Sequence, residues 1–220
     1  MAGNALYTEK ESGYYGEVRN DVLDIIPITP MRILDVGCGS GDTALAAKRR
    51  FGPSCEVTGI EMYEPAGMAA RNKLDRVIIG DIEHLTLDFP EKHFDCILCS
   101  DILEHLKDPW TVLNTLRRFL ADDGVFVASM PNIRHIVPLK QIILDRLEYQ
   151  KSGVLDKTHL RIFTLHTIRG LFTQTGFQIE LVKPNRDTSA KYKVVNIISF
   201  GLMRQFSIFQ YVILARKISA

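Results

Sequence analysis

Two hydrophobic periods take turns along this chain. Short, nearly continuous apolar runs lie at 32–36, 56–60, 77–80, 94–100 and 124–130, the length and pattern of strands buried on both faces. Longer amphipathic stretches at 42–50, 64–72 and 101–120 separate most of them, with apolar residues at helical spacing. Upstream, Val18, Val22, Ile25 and Ile26 predict a helix over 17–26 that Pro27 stops. Five apolar strands alternating mostly with helices predict a parallel sheet covered on both faces, a doubly wound α/β fold.

The tail follows another rhythm. A helix is expected over 166–175, with His166 near its start and Gly176 after it. Phe177, Ile179 and Leu181 then alternate with Gln178 and Glu180, as in a strand exposed on one face. The run 207–217 is more continuously apolar and is expected to insert beside that strand, the stretch between them crossing as an irregular helix. Residues 132–163 are the one long departure from alternation, with a helix expected at 138–147. An insertion after the fifth strand lies over the carboxyl edge of the sheet, where ligands bind in open α/β folds, so substrate recognition is assigned to it.

Composition narrows the class. At 220 residues, with 46% hydrophobic and 24% charged, the chain suits one globular domain, 1–220. Its net charge of +1 and its dispersed basic clusters, Lys48-Arg49-Arg50 and Arg117-Arg118, argue against a nucleic-acid partner, whose affinity comes from neutralising phosphates. The charged first thirty residues hold no apolar leader segment, and the apolar stretch 194–215 is interrupted by Asn196, Arg204, Gln205 and Gln210. A cytoplasmic protein without stable membrane insertion is expected. Cys96 and Cys99 have CxxC spacing, but three residues apart in an extended strand means opposite faces, so neither a metal pair nor a redox pair is expected.

The chemistry concentrates where strands end. Ile33-Leu34-Asp35-Val36-Gly37-Cys38-Gly39-Ser40-Gly41 reads as a buried strand closing on an acid and entering a turn whose glycines let backbone approach a ligand. Glu61 closes the second strand, Asp81 the third, and Ser100-Asp101 the fourth. An acid ending the second strand can accept from ribose hydroxyls, and Asp81-Ile82 can offer a carboxylate and an amide to an adenine edge. Acids at strand ends can equally cap the next helix. The glycine spacing is GxGxG rather than the GxGxxG of dinucleotide turns, and a carboxylate at Asp35 repels a pyrophosphate while welcoming an ammonium.

These residues resemble the first motif of class I methyltransferases that use S-adenosylmethionine. The resemblance extends to Glu61, to Gly80-Asp81-Ile82 and to the run from Phe94 to Leu106, and covers roughly 14–182. Pro131-Asn132-Ile133-Arg134-His135 and Leu155-Asp156-Lys157-Thr158-His159-Leu160-Arg161-Ile162-Phe163 resemble a bacterial subgroup linked to cell-surface sugar or other small-molecule modification. The resemblance implies a Rossmann-like, mostly parallel seven-stranded sheet with an antiparallel strand at the edge. It implies a segment, 1–31, that caps the cofactor through Tyr14 and Tyr15. It also implies that Asp35, Gly37, Cys38, Gly39, Gly41, Glu61, Met62, Asp81, Ile82 and Ser100 hold the cofactor, leaving S-adenosylhomocysteine as product.

Transfer to an oxygen or nitrogen of a small acceptor, sugar-derived or similar, is the expected reaction. Histidine is the usual base near neutral pH. Of six histidines, His84 and His93 are expected to be solvated, and His105 lies beside the crevice, although Asp101 and Glu104 can form a capping box that uses His105 only to orient the turn. His135 and His159, with Asn132 and Arg134, line an acceptor pocket if 132–163 covers the crevice; each histidine can instead bond backbone. His105 and His135 are the candidate bases. No His, Cys and carboxylate set has metal spacing in the sequence, so no metal site is expected. The rival readings are a nucleotide-dependent oxidoreductase and a non-catalytic cofactor-binding module. A quinone-like or lipid-like acceptor is suggested by Ile197, Ile198, Phe200, Leu202 and Met203.

Overall fold

The computed structural model describes residues 16–186 and 196–218. Strands β1 (Arg32–Val36), β2 (Glu56–Glu61), β3 (Arg76–Ile79), β4 (Phe94–Ser100), β5 (Leu120–Pro131), β6 (Phe177–Arg186) and β7 (Ile208–Lys217) form one sheet in the order β3-β2-β1-β4-β5-β7-β6. Neighbours from β3 to β5 pair in parallel, whereas β7 runs antiparallel to both β5 and β6. The antiparallel strand therefore sits one place in from the edge, where the alternating segment β6 closes the sheet. The chain winds outward from β1 to β3 and returns to β4, so the strand order reverses between β1 and β4, the place where such sheets open a crevice.

Period-2 alternation sends successive side chains to opposite faces, and each face has its own core. Ile33, Cys96, Leu98, Val127, Val212 and Leu214 meet Val22 and Leu23 of α1 (Asn20–Leu23) and Ala44 and Ala47 of α2 (Asp42–Phe51). Leu34, Ile97, Cys99, Phe126, Ala128 and Ile213 meet the opposite layer, α4 (Pro109–Phe119) and α6 (Leu165–Gln174). Helix α3 (Glu64–Ala70) joins β2 to β3, and α5 (Ile136–Ile143) lies in the segment after β5. Cys96 and Cys99 fall in different cores, as their spacing in a strand requires.

Local chemistry sets the helix ends. The Asp108 carboxylate accepts from Thr111 N at 3.1 Å, with Pro109 in the first turn of α4, where its missing N–H is no loss. At α6 the Thr164 and Thr167 hydroxyls accept from each other's main-chain N–H groups, at 2.9 and 3.3 Å, a reciprocal cap.

The expected helix over 101–120 does not form as one piece. Asp101 takes φ +55°, the left-handed region, a 3-10 turn follows at Leu103–His105, Leu106 is extended, and α4 starts afresh at Pro109. The capping box between Asp101 and Glu104 is absent because Asp101 turns away to Arg19, Gln210 and Ser129, while Glu104 is buried. The helix expected over 17–26 shrinks to α1, with Val18 exposed, and α5 begins earlier and ends earlier than 138–147. The crossing after β6 contains a 3-10 segment, Leu202–Ser207, in its described part.

Phe126 anchors one core: it is fully buried, its ring 5.8 Å from Phe172 and 5.0 Å from Phe177. Truncation leaves a cavity bounded by two rings held by a helix and a strand. Phe126→Ala is expected to cost about 3–5 kcal/mol in urea unfolding. A loss below about 1 kcal/mol would show that the ring cluster is not a structural anchor.

Candidate active site

At the carboxyl ends of β1, β2 and β4 the sheet opens into a cavity of about 930 Å³, at the upper end of the range for small-ligand pockets. The turn after β1 forms one wall. Gly37 and Gly39 have φ of +73° and +54°, and the N–H groups of Gly37 and Cys38 donate to Ile60 O at 2.7 and 3.1 Å, tying the turn to the end of β2. A Cβ on Gly37 would stand 1.9 Å from Ile102 Cδ1. Gly41, φ +82°, heads α2 behind the wall, where its Cα faces Ala70 closely enough to leave 3.2 Å for an added Cβ.

Two acids sit at this wall. Glu61 is 8% exposed, its Oε2 accepting from Gly39 N at 2.9 Å and its Oε1 from Tyr63 N at 2.8 Å. A carboxylate has about four acceptor sites, so both oxygens keep capacity for a ligand. Asp35 is 3% exposed. Burial, and then the charge of Glu61, pushes its carboxyl up to about 7. Burial also raises Glu61 above the usual carboxylate range, against the pull of its backbone N–H partners. The same field, after burial itself, drives the Cys38 thiol upward, so this wall residue is a neutral thiol and no nucleophile.

Met62, Asp81, Ile82 and Ser100 line the same cavity. Asp81 Oδ1 accepts from Glu83 N at 2.9 Å, and Ser100 Oγ is buried without a hydrogen-bond partner. Of the residues expected to hold the cofactor, all but Gly41 are thus on the cavity wall.

The rest of the lining comes from the 3-10 turn after β4 and from the segment after β5. His105, His135 and His159 all face the cavity. His105 Nδ1 lies 3.1 Å from Thr158 O and His159 Nδ1 lies 3.1 Å from Val154 O, so each Nδ1–H donates to a carbonyl, and in the neutral form of either ring the lone pair is at Nε2. His135 is the reverse: as N-cap of α5 its Nδ1 accepts from Val137 N at 3.5 Å, which leaves Nε2–H as a donor. His84 is exposed as expected, whereas His93 packs between Phe89 and Phe94, and burial, then Arg32, lowers its pKa.

Two expected acceptor-side residues are not on the cavity wall. Asn132 is fully buried and its amide donates to Ile208 O at 2.8 Å, which fastens β5 to β7. Arg134 is directed to Gln205 at 3.0 Å and lies over the Phe206 ring. Tyr14 and Tyr15 lie outside the described residues. In their place the cavity gains residues that sequence reasoning missed. Arg19 reaches from the segment before β1 to pair with Asp101, and bonds Asp21 and Gln210 at 2.9 and 2.8 Å. Glu104 and Asp156, both 1% exposed, also line it. Nothing local places Arg19 or Glu104 here, since Asp101 and Gln210, which hold the one, and His159, which faces the other, lie far along the chain.

A family model described as a methyltransferase domain matches residues 7–182. The chain belongs to the class I S-adenosylmethionine-dependent methyltransferases. It is 31% identical over 156 residues to a malonyl-[acyl-carrier protein] O-methyltransferase of Geobacter sulfurreducens, covering 69% of this chain and 57% of that one. It is 33% identical over 137 residues to a ubiquinone biosynthesis O-methyltransferase of Actinobacillus pleuropneumoniae, covering 58% of this chain and 56% of that one. The chain thus spans a little over half the length of these curated relatives. A solved S-adenosylmethionine dependent methyltransferase from Mesorhizobium loti shares the fold, with a TM-score of 0.66 at 21% identity over 90% of this chain and 96% of that one.

The glycine turn carries a stability test. At Gly37 an added methyl meets both the left-handed backbone and Ile102, so Gly37→Ala is expected to destabilise the chain by about 1–3 kcal/mol. Thermal unfolding unchanged from the parent would show that Ile102 yields freely.

Proposed function

We propose that this chain transfers a methyl group from S-adenosylmethionine to an oxygen or nitrogen of a small-molecule acceptor. The observation that carries the reading is the pair of buried acids, Asp35 and Glu61, on the glycine wall of a cavity whose other wall holds His105 and His159. The residues fit this cofactor. Asp35 suits its ammonium, whose charge would offset the repulsion that raises the carboxyl; Glu61 suits the ribose hydroxyls; Asp81 and Ile82 suit the adenine edge. Residues 1–31 serve as the cofactor-side cap, an assignment supported by Glu17, Arg19 and Asp21 on the cavity wall, and 132–163 as the acceptor-side insertion within one domain spanning 1–220.

When bound, the cofactor supplies an electrophilic methyl on a sulfonium. The chain's part is alignment, because in-line displacement gains most of its rate from holding nucleophile and methyl in register. The second part is the proton that a hydroxyl acceptor must lose. His105, with its lone pair fixed at Nε2, suits that task; His135, with a proton there, suits donation to the acceptor instead. Both relatives named above are O-methyltransferases, which supports oxygen as the acceptor atom. A sugar-derived molecule remains our acceptor class, and the exposed Ile197, Ile198 and Phe200 support a quinone-like or lipid-like molecule as its rival. The oxidoreductase reading is not favoured, since the chain belongs to the methyltransferases. Among the described residues no helix is long and apolar enough to cross a membrane.

Calorimetric titration decides the cofactor: S-adenosylhomocysteine is expected to bind and NADH not to, and the opposite result would falsify the proposal. Release of S-adenosylhomocysteine in a screen of hydroxyl and amine acceptors separates an enzyme from a binding module.

The Asp35 carboxyl sets a pH dependence. In the free chain it holds its proton below about 7, while the ligand's ammonium pairs with the ionised form, so binding expels that proton. Affinity for S-adenosylhomocysteine should fall as pH drops through about 7, with proton release visible as a buffer-dependent heat. Asp35→Asn should weaken binding and flatten the profile; a parent profile as flat as the variant's would remove Asp35 from this role. His105→Ala should lower turnover at least tenfold while S-adenosylhomocysteine affinity changes less than twofold, and full activity would end the assignment.

A further inference from the structure

Glu104, His105 and His159 come together on the acceptor wall although 54 positions separate the two histidines along the chain. One ligand atom from each of the three lies within 4.8 Å of the others. The imidazole rings of His105 and His159 are 4.8 Å apart, edge to face, and His159 Nε2 stands 4.0 Å from Glu104 Oε1. That gap is too long for a hydrogen bond. Two ligands on one tetrahedral ion, with bonds of about 2.0–2.2 Å, sit about 3.3–3.5 Å apart, so less than about 1 Å of side-chain movement closes the pair around an ion.

Three further observations point to a ligand of positive charge. Glu104 is 1% exposed, and its Oε2 is buried without a hydrogen-bond partner. A buried carboxylate oxygen left this way is costly unless something binds it. The charges acting on Glu104 are those of Asp101, Asp156 and Arg19, two carboxylates against one guanidinium that is itself shared with Asp21. Each histidine also donates its Nδ1–H to a main-chain carbonyl, Thr158 O or Val154 O. That outer bond is what metal-ligating histidines usually make, because it fixes the tautomer and orients the ring.

We propose that Glu104, His105 and His159 bind one divalent transition-metal ion of the zinc class, with open coordination positions facing the cavity. Two imidazole nitrogens and one carboxylate favour such an ion over magnesium or calcium, which prefer all-oxygen shells. Three protein ligands leave room for water or an oxygen of the acceptor. The inference rests on the proposed methyl transfer only in calling this wall the acceptor side. The direct-base role of His105 belongs to the metal-free chain; with the ion bound, that lone pair is taken up in coordination, and an acceptor oxygen on the ion loses its proton more readily. The ligand set is invisible in the sequence because its third member belongs to the insertion.

The test uses the full chain stripped with a chelator and titrated with zinc chloride against a chromophoric competitor. One ion per chain is expected, with Glu104→Gln and His159→Ala each weakening it at least tenfold. Glu104→Gln keeps the side-chain volume, and circular dichroism melting checks that both variants fold. Cobalt in place of zinc should give the visible absorption of a low-coordinate site, reduced in both variants. No stoichiometric uptake by the parent chain, or uptake equally tight in the variants, overturns the site. Magnesium bound as tightly as zinc overturns the choice of ion. S-adenosylhomocysteine titrated into the stripped chain keeps the two proposals apart: binding without metal uptake sinks only the metal site, and metal uptake without binding sinks only the methyl-transfer reading.

Discussion

Everything at the site depends on one short contact: Glu61, at the end of β2, holding the main chain of Gly39 in the turn after β1. Neighbouring amides of that turn, Gly37 and Cys38, donate to Ile60 O. The turn is therefore welded to the adjacent strand by both main chain and side chain. At Gly37 the left-handed backbone stands against Ile102 with no room for a Cβ. Glycine is the only residue that meets both demands. Fixing the turn also fixes Asp35, two residues earlier, in a buried position that costs it its usual acidity. One carboxylate thus organises the wall and perturbs its neighbour.

How much of this could be read from residues alone varies with distance along the chain. The strands were legible because a strand buried on both faces is simply a run of apolar residues, and Phe94–Ser100 has the bounds expected of it. The doubly wound order followed from alternation. The helix over 101–120 was misjudged because apolar spacing continues through Leu103 and Leu106, while the interruption lies in the backbone of Asp101, held left-handed by bonds to Ser129 and Gln210 from β5 and β7. No local pattern encodes a bond to a strand more than a hundred residues away.

The candidate site divides the same way. Glycines and strand-end acids are adjacent to the strands that carry them, so their shared wall was legible. Asn132 and Arg134 were assigned to the acceptor from their place in the insertion, but Asn132 is occupied in fastening β5 to β7, and Arg134 turns to Gln205. Glu104 was read as a helix-capping partner, whereas the fold buries it opposite His159. Arg19 gave no signal at all, since a lone arginine in an amphipathic stretch reads as a solvated face.

The four cysteines have a use beyond packing. All are buried, with thiols displaced well away from ionisation; for Cys55, burial and then the charges around it leave the thiol at about 11. Thiolates are the reactive form, so the folded chain offers an alkylating reagent almost nothing to attack. Modification must wait for the sheet to open. Cys96 and Cys99 face opposite cores from the same strand, so the order in which they are labelled would tell which helical layer lifts off first. The chain carries its own unfolding clock, with a hand on each side of the sheet.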